Sequence, residues 1–384
     1  MPLRVAAIFE IPTPYRQPIF EKIVEREDLK VDFYFLSRAQ QDRYWDTNLF
    51  QELPAVFLPG KQICFKGYHT VYINFHVKKV LSKGKYDLFV LNGYAQPALF
   101  FLLRYCWKNS VPYVMVTESH LGKKRSPFLR LLKDAYVRKV YQRSKANLVM
   151  GSASKEYVIS YGAPKDKIYD FPNTIDGPTY SSLIIKERDR KEQLKIEFNI
   201  QNEKVVLFVG TLNKRKGVHH LVEAFQQIIK RHPDVCLLLA GTGSMEQELR
   251  TLTNLNALEK KIIFTGFVQP KNLSKVYAVA DIFVLPSIEE PFGAVICEAM
   301  AAGLPIIATR TVGAAADFVH HEENGMIVSP AKVEDLIDAM DKLLINDQKR
   351  KEMGNRSREI MQLWTHSRLE QSFLDAVIAA AGKS

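Results

Sequence analysis

The sequence predicts an α/β protein built from two doubly wound domains. Three observations support this: short apolar segments of strand length alternate with longer amphipathic segments, the same plan occurs in both halves of the chain, and a segment rich in proline, glycine and Asx residues separates the halves. Alternating strands and helices are typical of a mostly parallel sheet covered by helices on both faces. A chain of 384 residues, 47% of them hydrophobic, is long enough to form two such cores.

The N-terminal half alternates in this way from its first residues. Its strand segments are short and apolar, and its helical segments repeat apolar residues three and four positions apart. The predicted strands are 4–9, 31–36, 87–91, 113–117, 146–150 and 168–171, and the predicted helices are 17–26, 71–81, 96–107, 127–143 and 155–161.

The C-terminal half repeats the plan. Its predicted strands are 205–209, 235–240, 261–265, 281–285, 305–309 and 325–328, and its predicted helices are 218–231, 245–256, 273–279, 294–302, 333–344, 347–363 and 367–380. The segment 170–178 is typical of a linker, and the charged stretch 186–195 is either a solvated face or a mobile loop. We expect Rossmann-like domains over 1–174 and 175–365, and a last helix within 366–384 that packs back toward the N-terminal domain.

The segment 282–302 predicts a phosphate site. It contains a strand (282–285), a loop (286–293) and a helix (294–302). A helix that follows a strand directs its unpaired N–H groups at whatever lies above the sheet, and such groups bind phosphate. Ligands of open parallel sheets lie beyond the carboxyl ends of the strands, so we expect the site in a central cleft that closes when the domains move.

Glu290 and Glu298 flank this phosphate site. Seven residues separate them, with Glu290 in the loop and Glu298 a turn into the helix, which places the carboxylates on the order of 10 Å apart. A carboxylate accepts hydrogen bonds from the paired hydroxyls that sugars and riboses present. The two carboxylates therefore suit the two ends of a nucleotide sugar.

This segment resembles the signature of the retaining nucleotide-sugar glycosyltransferases of family four, which have the GT-B fold. The signature has two glutamates separated by seven residues, Phe-Gly after the first and Glu-Ala-Met-Ala-x-Gly-x-Pro at the second, and all of it is present at 290–305. Residues 208–217 resemble the family pattern Gly-Arg-Leu-x-x-x-Lys-Gly. The resemblance is dense over 172–364 and thinner before it, with further matches at 240–243, 264–268, 312–313, Asp317 and 324–325. It implies sugar transfer from a UDP- or GDP-linked donor to a hydroxyl of a glycan or lipid-linked acceptor.

The resemblance also implies a donor site in the C-terminal domain. In family members the second glutamate binds the nucleotide ribose, the first binds the donor sugar, and the position of Val268 meets the base through its backbone. Other interpretations stay open: a surface ion pair for Glu298, a helix N-terminal carboxylate for Glu290 and strand-end packing for Val268. The predicted donor-binding residues are Gly210, Thr211, Arg215, Lys216, Gly241, Val268, Glu290, Phe292, Gly293, Ala294, Val295 and Glu298.

One position departs from the family pattern. The arginine that usually follows the glycine is Thr211 here, so one phosphate-binding cation is missing from its usual place. Lys216 is the lysine of the pattern, and Arg215 lies beside it in the same loop. We expect both cations to contact the diphosphate, although a solvated loop position is the other interpretation of Arg215.

Stabilisation of the leaving diphosphate is expected without a metal ion or other cofactor. Cations and oriented N–H groups stabilise such a growing charge, and the sequence contains no Asp-x-Asp pair of the kind that holds a metal in some transferases. Lys216, Arg215 and the amides of 292–295 are predicted to take this role, because Gly293 lets the backbone approach the phosphates. The resemblance implies retention of the anomeric configuration, with Glu290, His120 and Lys216 as catalytic residues.

The N-terminal half is predicted to bind the acceptor. Arg16 follows the first strand and either contacts a phosphate or carboxylate of the acceptor or lies on the surface at a helix start. Relatives often place a histidine near His120, against the donor sugar, and the alternative is a polar surface residue at a strand end. Glu118 directly follows the predicted strand 113–117 and is assigned to the acceptor side.

The stretch 123–145 predicts a basic amphipathic helix. It contains nine basic residues and one acid, with apolar residues at helical spacing: the basic ones are Lys123, Lys124, Arg125, Arg130, Lys133, Arg138, Lys139, Arg143 and Lys145. The net charge of +11 lies entirely in 1–176, while 177–384 are balanced. Either this helix packs on the core with a solvated basic face, or Lys123 to Lys145 bind an anionic membrane surface.

The remaining features predict a cytoplasmic protein, peripheral on the inner face of the membrane if the basic helix binds lipid. No apolar run reaches the ~18 residues of a membrane span, and the N-terminus has the pattern of a strand rather than a secretory signal. The four cysteines, Cys64, Cys106, Cys236 and Cys297, show no metal or redox spacing.

Three alternative functions compete with glycosyl transfer. A GT-B nucleotide-sugar epimerase would share the donor site, and a nucleic-acid-binding protein would share the basic charge. A silent scaffold would share the fold, but the presence of Glu290, Glu298 and Lys216 argues against it. Basic charge alone is non-specific evidence for nucleic acid, so none is expected as a partner.

Overall fold

The computed structural model describes residues 2–38, 53, 55–65, 69–74, 77, 85–119, 127–201 and 203–382, with the backbone alone for 65, 69 and 127–132. The chain divides into two compact units, Met1–Asn173 with His366–Ser384, and Thr174–Thr365. Each unit contains a parallel sheet with helices between its strands. The predicted α/β class with two Rossmann-like domains is therefore confirmed.

The sheet of the N-terminal unit has seven strands in the described part of the chain. They are β1 (Leu3–Phe9), β2 (Leu29–Phe35), β3 (Ala55–Phe57), β6 (Leu88–Asn92), β7 (Tyr113–Thr117), β8 (Ala146–Val149) and β9 (Ile168–Asp170), where β4 and β5 form the separate hairpin described next. They pair in parallel in the order β3-β2-β1-β6-β7-β8-β9. β7 and β8 are buried along their whole length, as expected for strands covered on both faces.

An antiparallel hairpin occupies 60–74, where the sequence predicts the start of a helix. β4 (Gly60–Phe65) pairs with β5 (His69–Asn74), so the predicted helix 71–81 is wrong over 71–74. Val71, Tyr72 and Ile73 are β-branched or aromatic residues, which favour strands, and the partner strand supplies the pairing that a local pattern does not show. Residues 75–76 and 78–81 of that prediction lie outside the described part of the chain.

Four described helices precede the boundary between the units. They are α1 (Gln17–Val24), α2 (Pro97–Asn109), α3 (Pro127–Arg143) and α4 (Ser152–Ser160). Proline lies in the first turn of α1 and of α2. The N–H groups of a first turn have no acceptor within the helix, so the N–H that proline lacks costs no helical hydrogen bond there. α2 ends at Asn109, and the next residue, Ser110, takes a left-handed conformation with φ of 55°.

Within its described residues, the C-terminal unit has six strands, which pair in parallel in the order β12-β11-β10-β13-β14-β15. Their bounds are β10 (Lys204–Val209), β11 (Val235–Ala240), β12 (Ile262–Gly266), β13 (Ile282–Leu285), β14 (Ile306–Thr309) and β15 (Gly325–Val328). The helices are α5 (Gly177–Arg188), α6 (Lys191–Glu197), α7 (Val218–Arg231), α8 (Glu246–Leu255), α9 (Leu273–Val279), α10 (Val295–Ala301), α11 (Gly313–Phe318), α12 (Val333–Ile345) and α13 (Asp347–Gln362). The centre of the sheet is the strand pair β10–β13, and β10 and β13 lead into the two loops of the candidate site.

The segment after the predicted linker is helical. α5 begins at Gly177, where the Asp176 carboxylate accepts a hydrogen bond from the Thr179 amide at 3.1 Å. A Cβ at Gly177 would lie 1.9 Å from the carbonyl oxygen of Met361, so only glycine fits there. The charged stretch 186–195 spans the end of α5 and most of α6, so the mobile-loop interpretation is wrong, while several of its charged residues do face solvent.

The last helix, α14 (His366–Ala381), packs against the N-terminal unit. The ring of Phe373 lies 6.0 Å from that of Phe171, and Nζ of Lys22 on α1 donates to the Ser367 hydroxyl at 2.9 Å. Within the described ranges, no helix combines the length and the apolarity that crossing a bilayer requires.

Candidate functional site

A short loop after β10, here called the cation loop (210–217), carries three basic residues. Asn213 shapes it, because its Oδ1 accepts a hydrogen bond from the Lys216 amide at 3.0 Å and closes a single 3-10 turn over Lys214–Lys216. Gly217 has a φ of 65°, and a Cβ there would lie 2.1 Å from the carbonyl oxygen of Pro286. Glycine at 217 therefore lets the cation loop lie directly against the loop that follows β13.

One oxygen of the Glu290 carboxylate forms ion pairs with two cationic side chains of the cation loop. Its Oε2 lies 3.1 Å from Nη1 of Arg215 and accepts a hydrogen bond from Nζ of Lys216. The side chains of Glu290 and Lys216 are each only 11% exposed. Burial by itself would raise the pKa of Glu290, but the charges and hydrogen bonds of Lys216 and Arg215 together outweigh it and hold the pKa below its usual range. Glu290 is therefore an ionised, partly desolvated carboxylate.

Main-chain hydrogen bonds fix the two loops to each other. The Ile288 amide donates to the Arg215 carbonyl at 2.8 Å, and Nη1 of Arg215 donates to the Glu289 carbonyl at 2.9 Å. On the other side, the Gly313 amide donates to the Glu290 carbonyl at 3.1 Å. The arginine is thus held by the loop that carries Glu290, which is against the solvated-loop interpretation of Arg215.

Three consecutive amides at the start of α10 have no acceptor among the described residues. They belong to Gly293, Ala294 and Val295, and the next amide, of Ile296, donates to the Gly293 carbonyl at 3.0 Å. Gly293 has a φ of 86°, a backbone conformation that a side chain would strain. Phe292 offers only its backbone, because its ring is buried edge-on against Phe318 at 6.4 Å. Free amides of this kind, beside two cations, form an arrangement that binds anions.

Glu298 lies in a different environment on the same helix. Its Oε2 accepts a hydrogen bond from the hydroxyl of Tyr277, a fully buried residue of α9, at 2.8 Å. Burial raises the pKa of Glu298 to about 7, against the lowering effect of that hydrogen bond. Glu298 has no ion pair with Arg215 or Lys216 or with any other described cation. The surface ion-pair interpretation is therefore wrong.

Tyr277 is a site residue that the sequence pattern does not indicate. It lies on a short buried helix, where an aromatic residue is expected simply to fill the core, and only the fold brings its hydroxyl to Glu298. Tyr180 of α5 packs against it, with ring centroids 6.3 Å apart, and its own hydroxyl is buried without a partner among the described residues. Tyr277 thus donates a hydrogen bond to Glu298, and Tyr180 packs against the ring of Tyr277.

Glycines bring the ends of three strands close together at this edge of the sheet. The Gly241 amide donates to the Gly266 carbonyl at 2.9 Å, and a Cβ at Gly241 would lie 2.0 Å from the Gly210 carbonyl oxygen. Gly210 lies beside the Lys216 side chain, whose Cε would be in ordinary contact, at 3.6 Å, with a Cβ at 210. Thr211 is exposed and Val268 is partly exposed. The predicted residues of strands β10, β11 and β12 thus share one edge of one sheet.

The predicted acceptor-side residues lie in the N-terminal unit. Arg16 is 4% exposed, so the interpretation of a surface arginine is wrong. Its Nε and Nη2 donate to Oδ1 of Asn173 at 3.1 and 2.8 Å, and its guanidinium lies over the Phe171 ring at 4.6 Å. Oε1 of Glu118, which is half exposed, lies 4.0 Å from Nη2.

Arg16 thus fastens Asn173, the last residue before the boundary, to its own unit. Its Nη1 is the group that remains buried without a partner among the described residues. Burial lowers the pKa of Arg16, partly offset by Glu118. His120 lies outside the described residues. No group of three or more His, Cys, Asp or Glu side chains in the described ranges is placed to hold a metal ion.

Two family models match the chain, one in each half. Residues 189–360 match the model described as glycosyl transferases group 1, and residues 25–177 match the model described as glycosyltransferase family 4. Both describe glycosyltransferases, and together they account for most of the chain. Each half of the chain is therefore similar to a glycosyltransferase domain, and both matches support the predicted class of enzyme, a glycosyltransferase.

Curated relatives match over part of their length. An uncharacterized glycosyltransferase of Methanocaldococcus jannaschii is 33% identical over 205 residues, which is 53% of this chain and 52% of that protein. Spore coat protein SA of Bacillus subtilis is 34% identical over 48% of this chain and 51% of its own. A D-inositol 3-phosphate glycosyltransferase of Corynebacterium jeikeium is 36% identical over 47% and 43%. The chain spans about half the length of these relatives.

Solved structures share the whole fold. HepE of Anabaena, crystallised with UDP, has a TM-score of 0.76 at 20% identity and covers 98% of this chain and 99% of its own. A glycosyltransferase of Rickettsia africae has a TM-score of 0.75 at 17% identity, and sucrose-phosphate synthase of Thermosynechococcus elongatus 0.72 at 20%, each covering 100% of both chains. The fold is therefore the one that the GT-B resemblance predicts.

Proposed function

We propose that this chain is a retaining glycosyltransferase that moves a sugar from a UDP- or GDP-linked donor to a hydroxyl of a glycan or lipid-linked acceptor, without a metal ion. The observation that carries the proposal is the convergence of Lys216 and Arg215 on Glu290, beside the free amides of 293–295. Cations and oriented amides are the groups that a departing diphosphate requires. The UDP and UDP-glucose bound to HepE agree with a uridine donor.

Each charged group then has a role in the transfer. The bond between the anomeric carbon and the diphosphate oxygen breaks, and a bond between that carbon and the acceptor oxygen forms. The acceptor proton passes to the leaving phosphate oxygen. Lys216 and Arg215 stabilise the charge that develops on the diphosphate, and the amides of 293–295 hold its oxygens.

Glu290 competes with the diphosphate for the two cations. Both cations contact its Oε2, so a phosphate that takes over those hydrogen bonds releases this oxygen to accept from a hydroxyl of the donor sugar. The lowered pKa of Glu290 keeps it an acceptor throughout the physiological range. The same residue therefore shields the cations and binds the sugar.

Glu298 is assigned to the ribose, with Tyr277 as its positioning residue. The Tyr277 hydroxyl occupies Oε2, which leaves Oε1 to accept from the ribose. The ionised carboxylate is a stronger acceptor for the ribose hydroxyls than the protonated form, so donor affinity should rise as the pH rises through the pKa of about 7. On the acceptor side, Nη1 of Arg16 and the carboxylate of Glu118 are the groups assigned to contact the acceptor, and His120 stays a predicted catalytic residue.

Donor binding tests the proposal first. The melting temperature is measured with UDP-glucose, GDP-mannose and ADP-glucose, because a ligand of the native state raises it. Stabilisation by one base is expected, together with transfer to an acceptor that persists in excess EDTA and gives a product with the anomeric configuration of the donor.

Several results would contradict the proposal. No stabilisation by any nucleotide sugar would remove the donor site, and inversion or a requirement for metal would remove those parts of the mechanism. Release of a free epimerised sugar without an acceptor would favour the epimerase instead.

A further inference from the structure

One face of the N-terminal unit exposes large aromatic residues. On α2, Phe101 is 61% exposed and Phe100 38% exposed, although the opposite side of the same helix is buried. Phenylalanine is among the residue types most often buried, and two adjacent exposed rings leave apolar area in contact with water. This face therefore has a reason to be covered by something apolar.

Aromatic contacts connect these rings to α3. Phe100 lies 5.9 Å from Phe101 and 5.6 Å from Tyr136, and Tyr136 lies 6.0 Å from Trp107 (ring centroids). Both Tyr136 and Trp107 are partly exposed. The four rings form a continuous row along the seam between the two helices.

Basic side chains surround this row. Arg104 lies over the ring of Phe100 at 5.9 Å, while Lys139 and Arg143 lie over Trp107 at 4.6 and 5.8 Å. No described carboxylate pairs with any of the three. We call this surface the aromatic–basic face; it comprises Phe100, Phe101, Arg104, Trp107, Lys108, Tyr136, Lys139 and Arg143.

Acidic residues do not interrupt the face. α2 contains no Asp or Glu, and the one acid of α3, Asp134, accepts a hydrogen bond from the Tyr161 hydroxyl at 2.6 Å. Solvated cations around an apolar centre attract a surface that is negatively charged and has a hydrocarbon interior. A bilayer with anionic headgroups has both properties, because basic residues meet its phosphates while aromatic rings enter the interface.

We infer that the aromatic–basic face docks this protein on an anionic lipid bilayer, with Phe101 inserted into the interface. The apolar anchor is on α2, a helix whose sequence does not distinguish it from a core helix, and the charge of α3 supplies the attraction. The inference does not depend on the donor chemistry, since it concerns the other unit.

Vesicle co-sedimentation tests the inference with the full chain. Binding is measured on phosphatidylcholine vesicles and on vesicles that also contain phosphatidylglycerol, at low and high salt. Binding only to the anionic vesicles, weakened by salt, is expected. Phe101→Ser should reduce the partition coefficient about tenfold, because a mostly exposed ring loses its interfacial burial. Leu255→Ser, which removes a side chain 76% exposed on the other unit, should leave binding unchanged.

Charge-reversal variants distinguish binding through the aromatic–basic face from attraction by the net charge of the protein. Arg104→Glu with Lys139→Glu should lower anionic-vesicle binding more than a hundredfold, since each lost or opposing charge near the leaflet changes the partition about fivefold. Lys260→Glu with Lys351→Glu changes the net charge equally at exposed positions of the C-terminal unit and should have a small effect. All variants should keep the melting temperature and the nucleotide-sugar binding of the parent protein.

Three results would overturn the inference. They are equal binding to both kinds of vesicle, equal losses in the two charge-reversal pairs, and an unchanged partition for Phe101→Ser. Tighter binding of a duplex oligonucleotide than of anionic vesicles, abolished by Arg104→Glu with Lys139→Glu, would assign the face to nucleic acid instead. If the parent protein binds anionic vesicles but no nucleotide sugar, that result contradicts the proposed transferase and supports this inference.

Discussion

Glu290 and Glu298 lie on one loop–helix segment, yet among the described residues Glu290 has cations beside it and Glu298 has only neutral groups. Glu290 is held by two cations that keep its pKa below the usual range. Glu298 has no described cation beside it and accepts one hydrogen bond from the neutral hydroxyl of Tyr277, and burial raises its pKa to about 7. Both carboxylates are largely removed from water, so burial alone does not decide their charge.

The difference supports the proposal that the two carboxylates bind different parts of the donor. Glu290 already contacts two cations, and those cations can exchange their contact with Glu290 for a contact with a phosphate. Glu290 therefore suits the end of the ligand where negative charge develops. A carboxylate in an apolar pocket gains most from neutral donors, such as a ribose diol, that hydrogen-bond its charged form. The predictions below attack this assignment, beginning with the largest expected effect.

Removing the lysine should have the largest effect. Lys216→Ala should lower the transfer rate about a thousandfold, because a buried cation at the developing charge is lost. It also leaves Glu290 with one cation, so donor affinity should fall with the rate. Single-turnover transfer and donor titration measure both quantities. Lys214→Ala, an exposed lysine of the same turn, is the matched control and should stay within about twofold of the parent.

Substitution of Arg215 should have the next largest effect. An arginine introduced at position 211, where the family pattern has one, should restore part of the lost activity. Arg215→Ala should lower transfer about fiftyfold, because one of two cations is lost and the other remains. Adding Thr211→Arg to that variant places a guanidinium at the position that the family pattern uses, and should recover about tenfold. A double variant no better than Arg215→Ala would show that the two positions do not serve the same phosphate.

Glutamate 298 should make the stability of the C-terminal unit depend on pH. Its pKa is raised from 4.5 to about 7, so the native state binds its proton more tightly than the unfolded chain. The stability that this group contributes is full below about pH 4.5 and falls by about 3 kcal/mol as the pH rises from there through 7. Glu298→Gln should therefore stabilise the unliganded protein above pH 7 in urea unfolding, and abolish donor binding. Glu289→Gln, an exposed neighbour, should change neither.

Substitution of Tyr277 should have the smallest effect on donor affinity, and that effect should depend on pH. Its hydrogen bond lowers the pKa of Glu298, so Tyr277→Phe should move the midpoint of the pH profile of donor affinity above 7. Affinity should fall about threefold near pH 7 and recover near pH 9, because Glu298 ionises there without help. A purely structural defect would instead lower affinity equally at every pH.

Most of the C-terminal unit was predictable from the sequence, for a physical reason. Strands buried on both faces are continuous apolar runs, such as 235–240 and 282–285, and glycines mark the turns at their ends. The position of Glu290 follows from its spacing in the loop after a predicted strand, whereas the cation loop was identified from its resemblance to the family pattern.

The features that the sequence did not reveal depend on distant partners. The hairpin at 60–74 needs its cross-strand pairs, and Tyr277 becomes a site residue only because the fold brings α9 to α10. Arg16 looks like a surface residue at a helix start, yet Asn173 lies 157 positions away and accepts its hydrogen bonds. Local composition contains no signal for contacts of this kind.

The placement of α14 has a consequence for synthesis. Its buried residues, among them Leu369 and Phe373, complete the core of the N-terminal unit, although they are translated after the entire C-terminal unit. On the ribosome, the unit that emerges first is therefore completed last, and its sheet remains partly uncovered until the final helix is released. A nascent chain stalled before residue 366 should bind chaperones through that uncovered surface.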